Sequence, residues 1–231
     1  MPRTLLQGIA SALPGRCEIC RAWPAQPLCE GCVERFAQPQ PRCRRCALPV
    51  PAGVAECGHC VRTPPCLDTC FAAVSYAYPW SGLIARFKFH DQPGLARALA
   101  TLMRSAPWIE PALDAAELLL PMPLSSRRLK ERGFNQAQEL ARRLAPGKTD
   151  PNILLRVSDV PPQVGQDRAS RIASVRHAFA VDPLLAARLR GRSVLLVDDV
   201  MTTGASLFAA AALLQRAGAR QVSAVVIART E

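Results

Sequence analysis

The chain reads as an α/β protein, a parallel β-sheet flanked by helices, with a small cysteine-rich module in front of it. Three observations predict this. All ten cysteines lie between Cys17 and Cys70. From Phe71 onward cysteine disappears and candidate strands alternate with candidate helices, the pattern of β-α-β units. Finally, the apolar run Val194-Leu195-Leu196-Val197 is followed by two aspartates, a loop of hydroxyls and glycine, and a helical run, as at the carboxyl end of a buried parallel strand. The expected domains are residues 1–70 and 71–231.

Eight of the cysteines form four Cys-x-x-Cys pairs, Cys17/Cys20, Cys29/Cys32, Cys43/Cys46 and Cys57/Cys60, separated by eight, ten and ten residues. A Cys-x-x-Cys turn points both sulfurs at one place, and two such turns offer the tetrahedral thiolate set that suits Zn²⁺. The first 70 residues therefore read as a double zinc ribbon with two structural zinc sites. Sequential pairing would put Cys17, Cys20, Cys29 and Cys32 on one zinc and Cys43, Cys46, Cys57 and Cys60 on the other, and an interleaved pairing is also open. Prolines and glycines fill the gaps, so folding here leans on the metal. A disulfide framework would need an oxidising compartment, and no export signal is evident in Met1–Leu13. Cys66 and Cys70 read as packing residues near the domain junction, and His59 as facing solvent.

The body is expected to begin with a strand over 71–78, followed by helices over 81–89 and 95–105. A strand over 117–120 runs into Pro121-Met122-Pro123. Residues 136–145 form an amphipathic helix, 153–157 a strand, 194–197 the central strand, 207–217 a helix and 221–228 the last strand. In such a sheet ligands bind at the carboxyl ends of the strands. That is where Asp198 and Asp199 fall. The segment Asp198, Asp199, Val200, Met201, Thr202, Thr203, Gly204, Ala205, Ser206 is suited to a phosphorylated sugar. Its backbone N–H groups and the following helix N-terminus face an anion, the hydroxyls add donors, and Gly204 allows close approach. The aspartates can accept from ribose hydroxyls or sit near Mg²⁺. The segment lacks the Gly-Lys-Ser/Thr of a P-loop and the glycines of a dinucleotide fingerprint.

Two basic loops should converge on the same edge. The first, 124–136, carries Arg127, Arg128, Lys130 and Arg132. The second, 158–171, includes Gln163, Gly165, Arg168 and Arg171, and is long and polar enough to act as a lid. The net charge of +11 and pI near 9.7 favour anionic partners. Aromatic content is only 5%, so base stacking would be weak. Phe134, Phe87, Phe89 and Trp80 are the available platforms, and each reads more readily as core. No stretch reads as a transmembrane helix, and the expected location is the cytoplasm.

The acidic-hydroxyl segment resembles the phosphoribosyl pyrophosphate (PRPP) loop of type I phosphoribosyltransferases. A narrower resemblance joins it. Phe87-Lys88-Phe89-His90, Pro121-Met122-Pro123-Leu124-Ser125, Arg132-Gly133-Phe134-Asn135-Gln136, Gln163-Val164-Gly165 with Arg168, and Arg176 with Phe179, all behind a double zinc ribbon, are similar to the ComF family. The resemblance covers nearly the whole chain. It implies a type I phosphoribosyltransferase-like fold, PRPP bound with Mg²⁺, and a role in natural competence and DNA uptake. Asp198 and Asp199 would orient the ribose, residues 202–206 would anchor the 5′-phosphate, and Arg127, Lys88 and Arg168 would stabilise departing pyrophosphate. A nitrogen nucleophile would accept the phosphoribosyl group. After Ser206 only 25 residues remain, with no evident base-binding hood, which argues against ordinary base salvage. The other reading is a non-catalytic factor of the transformation machinery that grips single-stranded DNA through its ribbon and through Arg127, Arg128, Lys130 and Arg132, with other DNA-uptake proteins as partners.

Overall fold

A computed structural model describes residues 15–23, 26–89, 92–157 and 178–231. The chain divides into two compact units, Met1–Gln38 and Pro39–Glu231. The second cysteine quartet thus lies in the larger unit, whereas the sequence groups it with the first.

Among the described residues of the smaller unit, Cys17, Leu28 and Cys32 are the buried apolar ones. Cys17 opens a tight turn in which the Arg21 amide donates to the Cys17 carbonyl at 3.0 Å. Cys29 stands at the N-cap of helix α1 (Glu30–Phe36), so Cys32 falls within its first turn. The second quartet repeats the device, with Cys57 at the N-cap of helix α2 (Gly58–Arg62).

The larger unit is built on four parallel strands, β1 (Thr69–Ser75), β2 (Leu118–Pro121), β5 (Ser193–Met201) and β6 (Gln221–Arg229), in the spatial order β1-β6-β5-β2. Long crossovers join them, as parallel pairing requires. The first carries helices α3 (Trp80–Phe89), α4 (Leu95–Ser105) and α5 (Ile109–Ala115). The second carries α6 (Ser126–Arg132) and α7 (Gln136–Leu144), and α8 (Ala205–Arg216) links β5 to β6. Leu119, Leu120, Leu195, Leu196, Val225, Val226 and Ile227 are all buried, as expected of central strands covered on both faces. Leu207, Ala210 and Leu214 of α8 share one apolar cluster with Leu196, Ala224 and Val226 of the sheet, and Cys43, Cys46, Cys60 and Cys70 belong to the same cluster.

Three expectations are corrected. The strand over 153–157 does not join the main sheet. It is β3 (Leu154–Arg156), paired antiparallel with β4 (Phe179–Val181) as a separate two-stranded sheet. The basic segment after Pro123 is mostly helix. The Ser125 hydroxyl caps α6 by accepting from the Arg128 amide at 3.2 Å, and Gly133 ends it at φ 71°, a left-handed position that costs glycine nothing. The central strand does not stop at Val197. Pairing with β6 continues through Asp198↔Val226, Val200↔Ala228 and Met201↔Arg229. The aspartates therefore lie inside β5, as its sixth and seventh residues. Among the described residues no helix is long and apolar enough to cross a membrane.

Candidate functional site

The acid pair sits at the carboxyl edge of the sheet because β5 outlasts its neighbour β2. Asp199 is buried, with 7% of its surface exposed, and such a carboxylate needs a partner. Lys88 supplies it from α3, its Nζ 2.8 Å from Asp199 Oδ1. The Asp199 carboxylate also accepts from the Val200 amide, and Asp198 Oδ1 accepts from the Asp199 amide at 2.9 Å. Burial pushes the Asp198 carboxyl up to about 7 and the charge of Asp199 adds to the rise, while the Asp199 amide, Lys88 and Arg132 oppose it. Asp198, Asp199, Lys88 and Arg132 therefore act as one electrostatic cluster.

The loop beyond β5 is short, since the helix begins at Ala205. Thr202 and Thr203 are exposed, and Thr203 Oγ1 accepts from the Ala205 amide at 3.4 Å. Gly204 is the N-cap of the twelve-residue α8 at φ 80°, and no side-chain cap closes that helix. Beyond the Ala205 amide that Thr203 takes, the Ser206 and Leu207 amides meet no capping side chain, and the positive end of the helix dipole lies behind them. A Cβ on Gly204 would lie 2.3 Å from Met201 Cε and 2.7 Å from the Phe208 ring. The left-handed conformation strains any side chain there, and a Cβ would also have to displace Met201 and Phe208.

The basic segment separates into two groups. Arg127, Arg128 and Lys130 are exposed, and Arg127 Nε lies 3.6 Å from Glu131 on the same helix. Arg132 is half-buried. Its guanidinium lies 5.1 Å from the centre of the Phe89 ring, and its Nη1 donates to Gln136 Oε1 at 3.1 Å. Gln136, only 1% exposed, leaves its Nε2 without a hydrogen-bond partner. Of the aromatic platforms, Trp80 and Phe87 are core, and Phe134 packs on Phe87 with ring centroids 5.5 Å apart. Phe89 departs from the core reading, being 65% exposed. Gln163, Gly165, Arg168, Arg171, Arg176 and His90 lie outside the described residues.

The quartets pair sequentially. In each of Cys17, Cys20, Cys29, Cys32 and Cys43, Cys46, Cys57, Cys60 all sulfurs lie within 4.8 Å of one another. The closest approaches are 3.8 Å for Cys17–Cys32, 3.6 Å for Cys20–Cys29 and 3.7 Å for Cys46–Cys57. A metal–sulfur bond of about 2.3 Å puts tetrahedral sulfurs about 3.8 Å apart. The spacing fits a four-sulfur metal site and is far too long for a disulfide. Burial raises the Cys17 thiol, yet the backbone amides of Cys29, Cys20 and Ile19 outweigh it and draw the group down to about 6, while Cys29 and Cys32 beside it are pushed up. Cys70 is buried, Cys66 and His59 exposed.

A residue that sequence reading passed over completes the site. Arg229, at the end of β6, is 8% exposed and donates to carbonyls of both the loop and the second quartet. Its one signal is a lone cation closing the otherwise apolar run 224–228.

A family model described as phosphoribosyl transferase domain matches residues 129–231, from within α6 to the end of the chain. Competence protein F of Haemophilus influenzae is 32% identical over 210 residues, covering 87% of this chain and 90% of that protein. The chain belongs to the ComF family. DNA utilization protein YhgH of Salmonella typhimurium is 30% identical over 227 residues, 94% of this chain and 98% of the relative. Competence protein ComFC of Bacillus subtilis is 32% identical over 148 residues, 64% of this chain and 58% of that protein. The ComF likeness thus reaches well beyond the transferase domain into the cysteine-bearing half. It also takes in the segment carrying Lys88, which the domain model leaves out.

Proposed function

We propose that this ComF protein binds PRPP with Mg²⁺ at the carboxyl edge of its sheet and transfers the phosphoribosyl group to a nitrogen acceptor. The observation that carries the reading is the run from the half-buried Asp198 and buried Asp199 through a glycine turn into a twelve-residue helix. The open amides of the first turn and the Thr202, Thr203 and Ser206 hydroxyls would take the 5′-phosphate. Asp198 and Asp199 would accept from the ribose 2′ and 3′ hydroxyls. Lys88, 2.8 Å from Asp199, is the best supported of the cations assigned to the departing pyrophosphate. Arg127 and Arg168 are the others assigned there. Mg²⁺, if held with the ligand, would neutralise pyrophosphate charge. As the C1–O bond to pyrophosphate breaks, its electrons leave with that oxygen, and the acceptor nitrogen supplies the new pair to C1. Zinc in the two quartets would be structural, since four sulfurs leave no open position.

The test is calorimetry with PRPP and Mg²⁺ on the wild type and on the double variant Asp198→Asn/Asp199→Asn. Binding by the wild type and its loss in the variant is the expected result. A wild type that takes up no PRPP would overturn the reading.

A second reading has one specific observation behind it. Arg127, Arg128 and Lys130 are exposed on one short helix, beside a site whose relatives are named for competence and DNA utilization. A cytoplasmic single-stranded DNA-binding factor, working with other uptake proteins and without transfer chemistry, would use that surface.

A further inference from the structure

The second cysteine quartet and the phosphate loop are tied together by one buried cation. Arg229 Nε donates to the Cys46 carbonyl at 2.8 Å. Its Nη1 donates to the Met201 carbonyl at 3.2 Å, to the carbonyls of Thr202 and Thr230, and to Thr230 Oγ1 at 3.2 Å. Among the described residues Arg229 makes no ion pair, and its hydrogen bonds all go to neutral oxygens. The planar fork of a guanidinium can span two backbones in this way. Cys46 closes the Cys43-x-x-Cys46 turn, and Met201 and Thr202 lead into Gly204. Thus one side of the fork grips the cysteine turn and the other grips the backbone that aims the first-turn amides of α8.

A second contact runs parallel to the first. Cys70 Sγ lies 3.5 Å from Met201 Sδ, and Cys70 shares the apolar cluster of Cys43, Cys46 and Cys60. Met201 Cε in turn occupies the space beside Gly204. The Cys70 amide donates to the Arg44 carbonyl at 2.7 Å within the 43–46 turn, so a second link joins the quartet to the loop, again through Met201.

We propose that Arg229 is a positioning residue through which metal in the second quartet holds the 201–204 backbone in its anion-binding shape. Affinity for a phosphorylated pentose then depends on a metal that never touches it. With metal bound, the Cys46 carbonyl is a fixed acceptor. Without it the 43–46 turn is released, the guanidinium loses its anchor, and Met201 and Thr202 are free to relax. The inference rests on the PRPP reading for its ligand, while the link between quartet and loop stands on its own.

The experiment uses the full chain and two variants, Arg229→Lys and Cys57→Ser. Three quantities are measured: metal per chain, amide hydrogen exchange over 200–206 without ligand, and calorimetric binding of PRPP with Mg²⁺. Lysine keeps the charge but offers donors from a single point. Arg229→Lys should therefore keep the wild-type metal content, exchange faster over 201–204, and bind PRPP about ten-fold more weakly, within the usual range of site coupling. Cys57→Ser should lose one metal and reproduce both effects. Unchanged exchange in Arg229→Lys, or lost metal without faster exchange in Cys57→Ser, overturns the proposal. If the wild type binds no PRPP, the PRPP reading fails while the exchange measurement still decides the link.

Discussion

Asp198 holds the free-energy conflict of this site. Its carboxyl stands at about 7 because burial and the neighbouring Asp199 both disfavour its charge, against the help of the Asp199 amide, Lys88 and Arg132. In the unfolded chain the same group titrates near 4. Below that pH it is protonated in both states and adds nothing to stability. As pH rises from about 4 to about 7 the unfolded chain gives up its proton first, so the fold loses stability, and above 7 the full penalty remains. At about 1.4 kcal/mol per unit, discounted for partial exposure, the penalty is on the order of 2 kcal/mol. Asp198→Asn should therefore raise the melting temperature by a few degrees at pH 8 and change it little at pH 4.5, with PRPP binding weakened. A melting temperature lowered at pH 8 would show that the charge is already compensated. Much of this was legible in the sequence, since adjacent aspartates after an apolar run are costly unless used. Lys88 was legible only through family resemblance, because the residue lies 111 positions before Asp199 and nothing local marks it as a partner.

At the scale of elements, β5 and α6 show where local reading stops. Residues 194–197 announce a strand by their apolar run, but the last part of β5 is polar at Asp198 and Asp199 and is held by register with Val226 and Ala228. That is a long-range cause, invisible in the local pattern. Helix α6 did carry its own signals, Ser125 at the start and Gly133 at the end, but its run of cations masked them. The consequence of the helix is that its cations point different ways. Arg132 stacks at Phe89 near the acid pair, while Arg127, Arg128 and Lys130 stay in solvent. If single-stranded DNA binds here, those three are its contacts. Replacing them with glutamine should lower the slope of log affinity against log salt by about 0.7 per cation, roughly 2 in all. A slope unchanged in the triple variant would remove α6 from any DNA interface.

For the molecule as a whole, the two quartets share a spacing logic but not a setting. Their sequential pairing follows from short gaps that bring neighbouring turns together, and the near-identical Cys-x-x-Cys patterns gave no hint that they would differ in surroundings. Yet the first belongs to a unit whose described core is Cys17, Leu28 and Cys32, with Cys20 exposed. The second has Cys43, Cys46 and Cys60 buried in the cluster that also holds β5, β6 and α8. Among its described residues the first unit buries little apolar surface, so metal in the first quartet should supply much of its stability, whereas the second site has the sheet behind it. Removal by a chelator should then occur in two phases from a starting content of two zincs per chain. The fast phase would take the first-quartet metal and unfold only the smaller unit. The slow phase would require opening of the larger one, and so would be slowed by bound PRPP, because a ligand of the folded loop stabilises the state that must open. Following zinc release with a chromogenic chelator, with and without PRPP, checks this directly. A single phase, or a slow phase indifferent to a ligand that does bind, would mean that the second quartet opens without disturbing the sheet edge.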